Sequence, residues 1–448
     1  MFAKSYYIYC ENPPKMKTIL SLFLLIPFFV QSQEGFVWNS NKSKIEIPFQ
    51  YVFNLIIVPV EINNVPLNLL LDSGSGQSVI FSLPENDTIQ FKNKKKILTR
   101  GLGLDDPIEG LVSQENIAKM NGYENQDFKL LIILNQDINF SSRLGIEVHG
   151  ILGYSFFKNH IVEIDYEKNK IILYKDRKIL DKKRIAKFQK IPLKLKENRP
   201  YIDVKTQIGN DKHDLDLLVD IGLSDGLWLF ENDSIKCHDA FFDATLGIGF
   251  SGEIKGKKSR VDAIQFAGFT LNKALVSYPY PIYLSKISIH KGRNGSVGNE
   301  VLKRFSVIFD NQGRQLLLKK NFNFRKEFNY NMSGITVEHH GSEYVTEILR
   351  LSTKTSNEST YSTDANFKFK VLLKPFYEVA TVSENSPGAL SGLLPSDKII
   401  RINRRKAYEY TLQDINELLQ SEEGKWIYFD VERKGKRMAF KFQLKKII

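Results

Sequence analysis

The chain has 448 residues, length for about three domains, and a formal net charge of +12 from 63 Lys and Arg against 51 Asp and Glu. Apart from a cluster at Lys92, Lys94, Lys95 and Lys96 the lysines are scattered, and no nucleic-acid recognition motif accompanies them, so the charge reads as compositional habit and excludes a nucleic-acid partner. Aromatics at 12% with abundant Ile, Val and Phe point to β-structure, and only two cysteines, Cys10 and Cys237, exclude a disulfide framework.

Residues 1–32 read as a secretory signal peptide. Lys15 and Lys17 precede an apolar stretch, residues 19–30, too short for a membrane span of about 20 residues. Val30-Gln31-Ser32 then offers a cleavage point. Met16 makes a better start than Met1. The mature chain is expected to begin near Gln33, with no membrane span, in the periplasm or cell envelope of a Gram-negative bacterium or secreted. No cysteine follows the stretch to take a lipid. Cys10 leaves with the signal, and Cys237-His238 has no further Cys or His nearby to make it a nucleophile or metal site.

The main body is written twice. An apolar run ends in Asp72-Ser73-Gly74-Ser75, and a second ends in Asp220-Ile221-Gly222-Leu223. Each is followed by a glycine block: GILGYSFFKNHIVEID from 150 to 165, and GSVGNEVLKRFSVIFD from 295 to 310. Asp72 and Asp220 are 148 positions apart, and Gly153 and Gly298 are 145 apart, which marks an internal duplication presenting one aspartate per copy. One Asp-x-Gly is an ordinary turn between strands. Two at matched spacing suggest paired carboxylates, which share a proton when about 3 Å apart because both cannot ionise. The ionised partner can take a proton from water, and the protonated one can polarise a carbonyl. Gly74 and Gly222 let the chain turn sharply beside each carboxylate, and the Ser73 and Ser75 hydroxyls can hydrogen-bond a carboxylate or the neighbouring loop. Gly101 and Gly103 in the first copy, and Gly247 and Gly249 in the second, suit hairpins that close over a cleft or simply turn.

DSGS after an apolar run, with a later GILG block, resembles aspartic peptidases of the pepsin and retropepsin type. More closely, the chain resembles aspartyl protease family proteins of Bacteroidetes with a C-terminal PDZ domain. The resemblance implies a mainly β fold of two β-barrel lobes related by a pseudo-twofold, residues 33–177 and 191–328, joined by a charged connector at 178–190. It implies that Asp72 and Asp220 are the catalytic pair, that GILG and GSVG pack beneath the active-site loops, and that no metal or organic cofactor takes part. A single mature cysteine suits a bacterial envelope protein better than a disulfide-bearing secreted pepsin. The second loop departs from the pattern. Family loops carry Thr or Ser where Ile221 and Leu223 stand, so the cross-lobe hydrogen bond and a contact to the outer carboxylate oxygen are lost at those positions. A hydrogen bond to a charged group contributes about 1.5–3 kcal/mol. Two functions therefore stay open: an exported aspartic endopeptidase acting on peptide or protein, and a degenerate relative that binds peptides without cutting them.

Residues 329–369 read as a linker with a possible first strand near Gly334, rich in Ser, Thr and Asn over 351–365. Residues 370–448 then show strand, turn, short helix, strand, helix and hairpin. The order, with Asn385-Ser386-Pro387-Gly388-Ala389, Gly392-Leu393 and Ser396-Asp397-Lys398-Ile399-Ile400, resembles a bacterial protease-associated PDZ domain, although Ser396 stands where the family has glycine. The resemblance implies a peptide groove beside Lys374, Pro375, Phe376 and Tyr377, where an extended peptide adds as a strand.

Overall fold

Runs such as Leu69-Leu70-Leu71 and Leu217-Leu218-Val219 have no polar face, so they are stable only as strands covered on both sides. The computed structural model describes residues 34–84, 88–101, 103–133, 140–249, 251–285, 289–349 and 368–448. The expected signal peptide and the 351–365 stretch lie outside them. Among the described residues the strands form four sheets.

In the first half, Val65–Leu71 pairs antiparallel with Leu55–Ile62 and parallel with Gly150–Leu152, in the register Leu69 to Gly150 and Leu71 to Leu152. The second half repeats the plan. Asp211–Val219 pairs antiparallel with Arg199–Ile208 and parallel with Gly295–Val297, setting Leu217 against Gly295 and Val219 against Val297. Leu69, Leu71, Leu217 and Val219 are fully buried. The glycine blocks therefore run beside the strands that end in the two aspartates.

A six-stranded sheet takes strands from both halves. At its centre Ile161–Asp165 lies antiparallel to Phe305–Asp310, with Val162 opposite Phe309 and Ile164 opposite Val307. The apolar ends of the two glycine blocks thus bury each other, and one hydrophobic core spans both halves. The expected connector 178–190 does not lie free between lobes. Its end enters the strand Gln189–Pro192, which pairs with Gln315–Lys320 of the same sheet. The strand's one strongly apolar residue, Ile191, is buried, and the charged residues before it made the segment read as a linker.

The C-terminal sheet runs Ile335–Leu349, Lys368–Val382, Lys398–Ile402, Trp426–Arg433 and Lys436–Gln443, with Arg405–Lys406 attached to Lys398–Ile402. The helix Leu412–Leu419 buries Leu412, Ile415 and Leu419 and is closed by a Thr411–Asp414 capping box. Ile335–Leu349 is a full strand of this domain, paired with Lys368–Val382 along its length. That corrects the expected groove. Lys374, Pro375, Phe376 and Tyr377 lie on an interior strand: Pro375 faces Ser342, and Tyr377 is paired with His339 on one side and Ile399 on the other. The open edge is Ile335–Leu349, which the helix Leu412–Leu419 flanks. Among the described residues no helix is long and apolar enough to cross a membrane.

Ser396 sits at φ +68, the left-handed conformation that glycine takes at no steric cost, which accounts for the family's glycine there. The next residue, Asp397, is fully buried and accepts from the Leu394 amide and from Arg433, at 2.5 Å to Nε and 2.6 Å to Nη2. Asp397→Ala should therefore destabilise this domain by about 3 kcal/mol, at the low end for a broken buried pair because Arg433 can still reach water. Ser396→Gly should stabilise it by about 0.5–1 kcal/mol. Urea unfolding followed by amide exchange in Trp426–Arg433 checks both; equal midpoints for the three proteins would show that neither the Asp397–Arg433 pair nor the Ser396 backbone affects stability.

Candidate active site

The parallel strands place both aspartates. Each aspartate amide donates to the glycine-block strand, Asp72 to the Leu152 carbonyl and Asp220 to the Val297 carbonyl, both at 2.9 Å. The chain then turns, and each loop's glycine meets the opposite carboxylate. A Cβ on Gly74 would lie 2.7 Å from Asp220 Cγ, and one on Gly222 would lie 2.4 Å from Asp72 Cγ. Only glycine permits that approach. The two carboxyls hydrogen-bond each other across the junction. Gly153 and Gly298 serve a second close approach behind the loops, where a Cβ would fall 2.4 Å from the Gln77 carbonyl oxygen and 2.3 Å from that of Asp225.

The loops are not equivalent in hydrogen bonding. Asp72 Oδ1 accepts from the Gly74 amide (2.7 Å) and the Ser75 amide (3.0 Å). Asp220 Oδ1 accepts from the Gly222 amide alone (3.1 Å), while the Leu223 amide turns to the Asp220 carbonyl. Ser73 is buried and crosses the junction: its hydroxyl donates to the Val219 carbonyl (2.7 Å) and accepts from the Ile221 amide (3.1 Å). Ile221 is fully buried in the shared core, so packing replaces the return hydrogen bond. The Ser75 hydroxyl points away from the carboxylate, to the Gln77 carbonyl (2.6 Å). Leu223 packs with Trp228, Leu246, Ile254 and Leu104, an apolar cluster that a hydroxyl at this position would leave.

Burial pushes both carboxyls above the ordinary value of 3.8. For Asp72 the charge of Asp220 adds to burial and raises it well above, against the two loop amides. For Asp220, Arg293 opposes burial most strongly, followed by the hydrogen bond from Asp72 and the Gly222 amide. The two carboxyls thus hold one proton between them and titrate as a unit, both above the ordinary carboxylate value because burial disfavours a second charge.

Several supporting residues escaped the sequence reading. Arg293 stacks on Phe230, 5.3 Å from its centroid, and bonds the Gly295 carbonyl and the Ser296 hydroxyl. Arg199 crosses from the second half to the first loop, donating from Nε to the Gly74 carbonyl at 2.9 Å. Asn299, fully buried, donates to the Ile221 carbonyl (2.6 Å) and accepts from the Tyr166 hydroxyl (2.7 Å). Its place directly after GSVG was the available signal. Asn54 donates to the Ser224 carbonyl at 3.1 Å. Arg199, Arg293 and Asn54 carried no local signal, because each reaches its loop only through the tertiary fold.

The hairpin glycines lie on two arms that touch. Gly247 and Gly249 belong to Phe241–Gly249, which pairs with Gly252–Arg260. Within that turn Ser251 meets Gly103 in an isolated parallel bridge, with Gly103 at φ +129. The Asp105 amide donates to the Ser251 carbonyl (3.0 Å), and the Gly101 amide to the Ser251 hydroxyl (3.2 Å). Leu104 packs against the same apolar cluster as Leu223, so residues next to the clasp and the second aspartate loop share one apolar contact. Cys237 stays outside this arrangement, and burial, then Glu231, pushes its thiol up to about 11.

The raised pair implies a pH-dependent stability. Folded Asp72 keeps its proton where the unfolded chain has released it, so stability is complete below the ordinary value of 3.8 and is lost as pH rises toward the folded value. Asp72→Asn removes that loss. Its thermal midpoint should match wild type near pH 3 and exceed it progressively up to pH 7. A difference that shrinks with rising pH would refute the shared-proton pair.

Among known families, residues 58–156 match the aspartyl protease model, a stretch that includes Asp72, the Gly101 and Gly103 turn and the GILG block; Asp220 lies beyond it. Residues 378–433 match the PDZ domain model, from the interior strand through the Asp397–Arg433 pair. No curated protein matches the chain significantly. In a mainly β fold, the chain thus carries an aspartyl protease domain match in its first half, at 58–156, and a PDZ domain match near its C-terminus, at 378–433.

Proposed function

We propose that this protein is an exported aspartic endopeptidase. The observation that carries the reading is the carboxyl pair, brought into hydrogen-bonding contact by two loops whose glycines meet the opposite carboxylates. A water between the carboxyls loses a proton to Asp220, and its oxygen attacks the carbonyl carbon of the scissile peptide. The proton on Asp72 goes to the carbonyl oxygen, giving a neutral gem-diol. Collapse breaks the C–N bond as a proton passes to the departing nitrogen, yielding a carboxylic acid and an amine. The Arg293 charge favours the ionised form of Asp220, which supports Asp220 as the base of the pair. The clasp between Gly103 and Ser251 must part for a peptide to enter and close to exclude water. The pattern from Lys15 to Ser32 supports export to the periplasm or envelope, and the PDZ domain supports binding of peptide or protein termini.

A specific observation also favours a binding protein without turnover. The second loop supplies one amide where the first supplies two, and Ile221 returns no hydroxyl across the junction. Turnover on a peptide library between pH 3 and 8, read by mass spectrometry, separates the two readings. For a peptidase, Ile221→Thr should raise turnover roughly tenfold, equivalent to about 1.4 kcal/mol. Thermal unfolding measured alongside checks that the fully buried site accepts a hydroxyl. Asp72→Asn should abolish cleavage in both backgrounds, since an amide cannot share the proton. Cleavage that survives Asp72→Asn rejects the mechanism, and no cleavage by wild type or Ile221→Thr leaves the binding protein. The mature protein from its native envelope should begin near Gln33; an intact Met1 or Met16 on a cytoplasmic pool would contradict export.

A further inference from the structure

An edge strand flanked by a helix is the geometry into which an extended peptide adds as a strand. Here those elements are Ile335–Leu349 and Leu412–Leu419, and the protease domain already sits on them. Its helix Phe140–Leu144 lies against Ile335–Leu349. The next residue, Gly145 at φ +67, abuts the head of the flanking helix, where a Cβ would stand 3.2 Å from Leu412 Cβ. The loop entering the edge strand is engaged as well. The Met332 amide donates to the Leu419 carbonyl (3.0 Å), that of Ser333 to Asn331 Oδ1 (3.0 Å), and that of Ile335 to the Ser333 hydroxyl (3.0 Å).

A second contact leads back to the catalytic loops. The Phe53 amide donates to Gln413 Oε1 at 2.9 Å, and the Phe53 ring packs on both the PDZ core and an apolar cluster of the protease domain. Phe53 and Asn54 lie at φ +50 and +63. Left-handed backbone costs a bulky residue about 1–2 kcal/mol, so surrounding contacts must hold this turn. Asn54 Nδ2 then donates to the Ser224 carbonyl (3.1 Å) and to Glu300 (2.8 Å), while Lys303 donates to Asn54 Oδ1 (3.0 Å). Ser224 belongs to the turn that begins at Asp220. The matching turn of the other half, Glu197 and Asn198 at φ +50 and +61, reaches the first loop through Arg199, but its Glu197 side chain is 56% exposed. Phe53 replaces that exposed side chain with an apolar one, as a turn built to dock requires.

We propose that the protease domain is the resident occupant of its own PDZ groove, and that this docking positions the second catalytic loop through the Phe53–Asn54 turn. A peptide that adds to the Ile335–Leu349 edge displaces residues 140–145 and frees the turn. The effect on catalysis rests on the peptidase reading; the docking does not.

The test uses the full chain in an Asp72→Asn background, so that peptides are not cut, with backbone amide exchange as the readout. Gly145→Val undocks from the protease side, since its Cβ meets Leu412 and its backbone is left-handed. Gln413→Lys undocks from the other side by removing the acceptor for the Phe53 amide. In both, exchange should quicken over residues 50–56 and 220–226 while Asp211–Val219 stays protected. The probe is a pool of random octapeptides with free carboxyl termini. If the groove is open roughly one-tenth of the time, the pool should protect residues 335–340 about tenfold more tightly in either variant than in the parent. Equal protection in parent and variants, protection in none, or unchanged exchange at 220–226 overturns the proposal. No step depends on turnover, so an inactive enzyme with these responses would sink the peptidase reading and leave the docking standing.

Discussion

Two carboxyls that cannot both be charged are held in contact by two residues without side chains. Like charges at this range repel by several kcal/mol in a poorly solvated site, so the fold must keep the pair together against its own electrostatics. It does so by tying each aspartate amide to a parallel strand and by anchoring that strand in a core common to both halves. The shared sheet follows from the same need. Two independent barrels could drift apart, whereas Ile161–Asp165 and Phe305–Asp310, paired strand to strand, make separation cost a buried ladder.

The junction is asymmetric. Ser73 makes both cross-junction hydrogen bonds, Asp72 receives two amides, and Asp220 receives one amide together with the field of Arg293. The two carboxyls therefore sit in different electrostatic surroundings. Packing takes the place of the missing hydroxyls: Ile221 fills the shared core, and Leu223 anchors the apolar cluster beneath the clasp. These contacts hold the loop's shape without polarising the carboxylate, which separates the structural job of the loop from its electrostatic one.

The PDZ domain is not a pendant module. Its edge strand and helix receive a helix, a glycine and a left-handed turn from the protease domain, and that turn reaches the carbonyl of Ser224. A bulky residue in left-handed backbone is stable only while its ring and amide are engaged, so the Phe53 turn depends on the domain beside it.

Much was legible in the chain itself. The duplicated Asp-x-Gly after apolar runs, the glycine blocks and the Ser386-to-Asp397 pattern specify strands, close approaches and a helix cap through local chemistry that needs no partner. At Ser396 the sequence shows only a departure from the family's glycine, and the structure supplies the left-handed backbone behind it. What the chain could not disclose depends on partners far apart in sequence. The edge of the C-terminal sheet moved from Lys374–Tyr377 to Ile335–Leu349 because an earlier strand pairs outside it across residues whose composition reads as linker. The last two residues of the connector, Gln189 and Lys190, open a strand whose partner lies more than a hundred residues away. Arg199, Arg293 and Asn54 are ordinary surface residue types in sequence; only the folded arrangement sets them against the loops. Local pattern determines which backbone shapes are possible, and long-range pairing decides which side chains meet, because hydrogen bonds and charge act over a few ångströms of space without regard to distance along the chain.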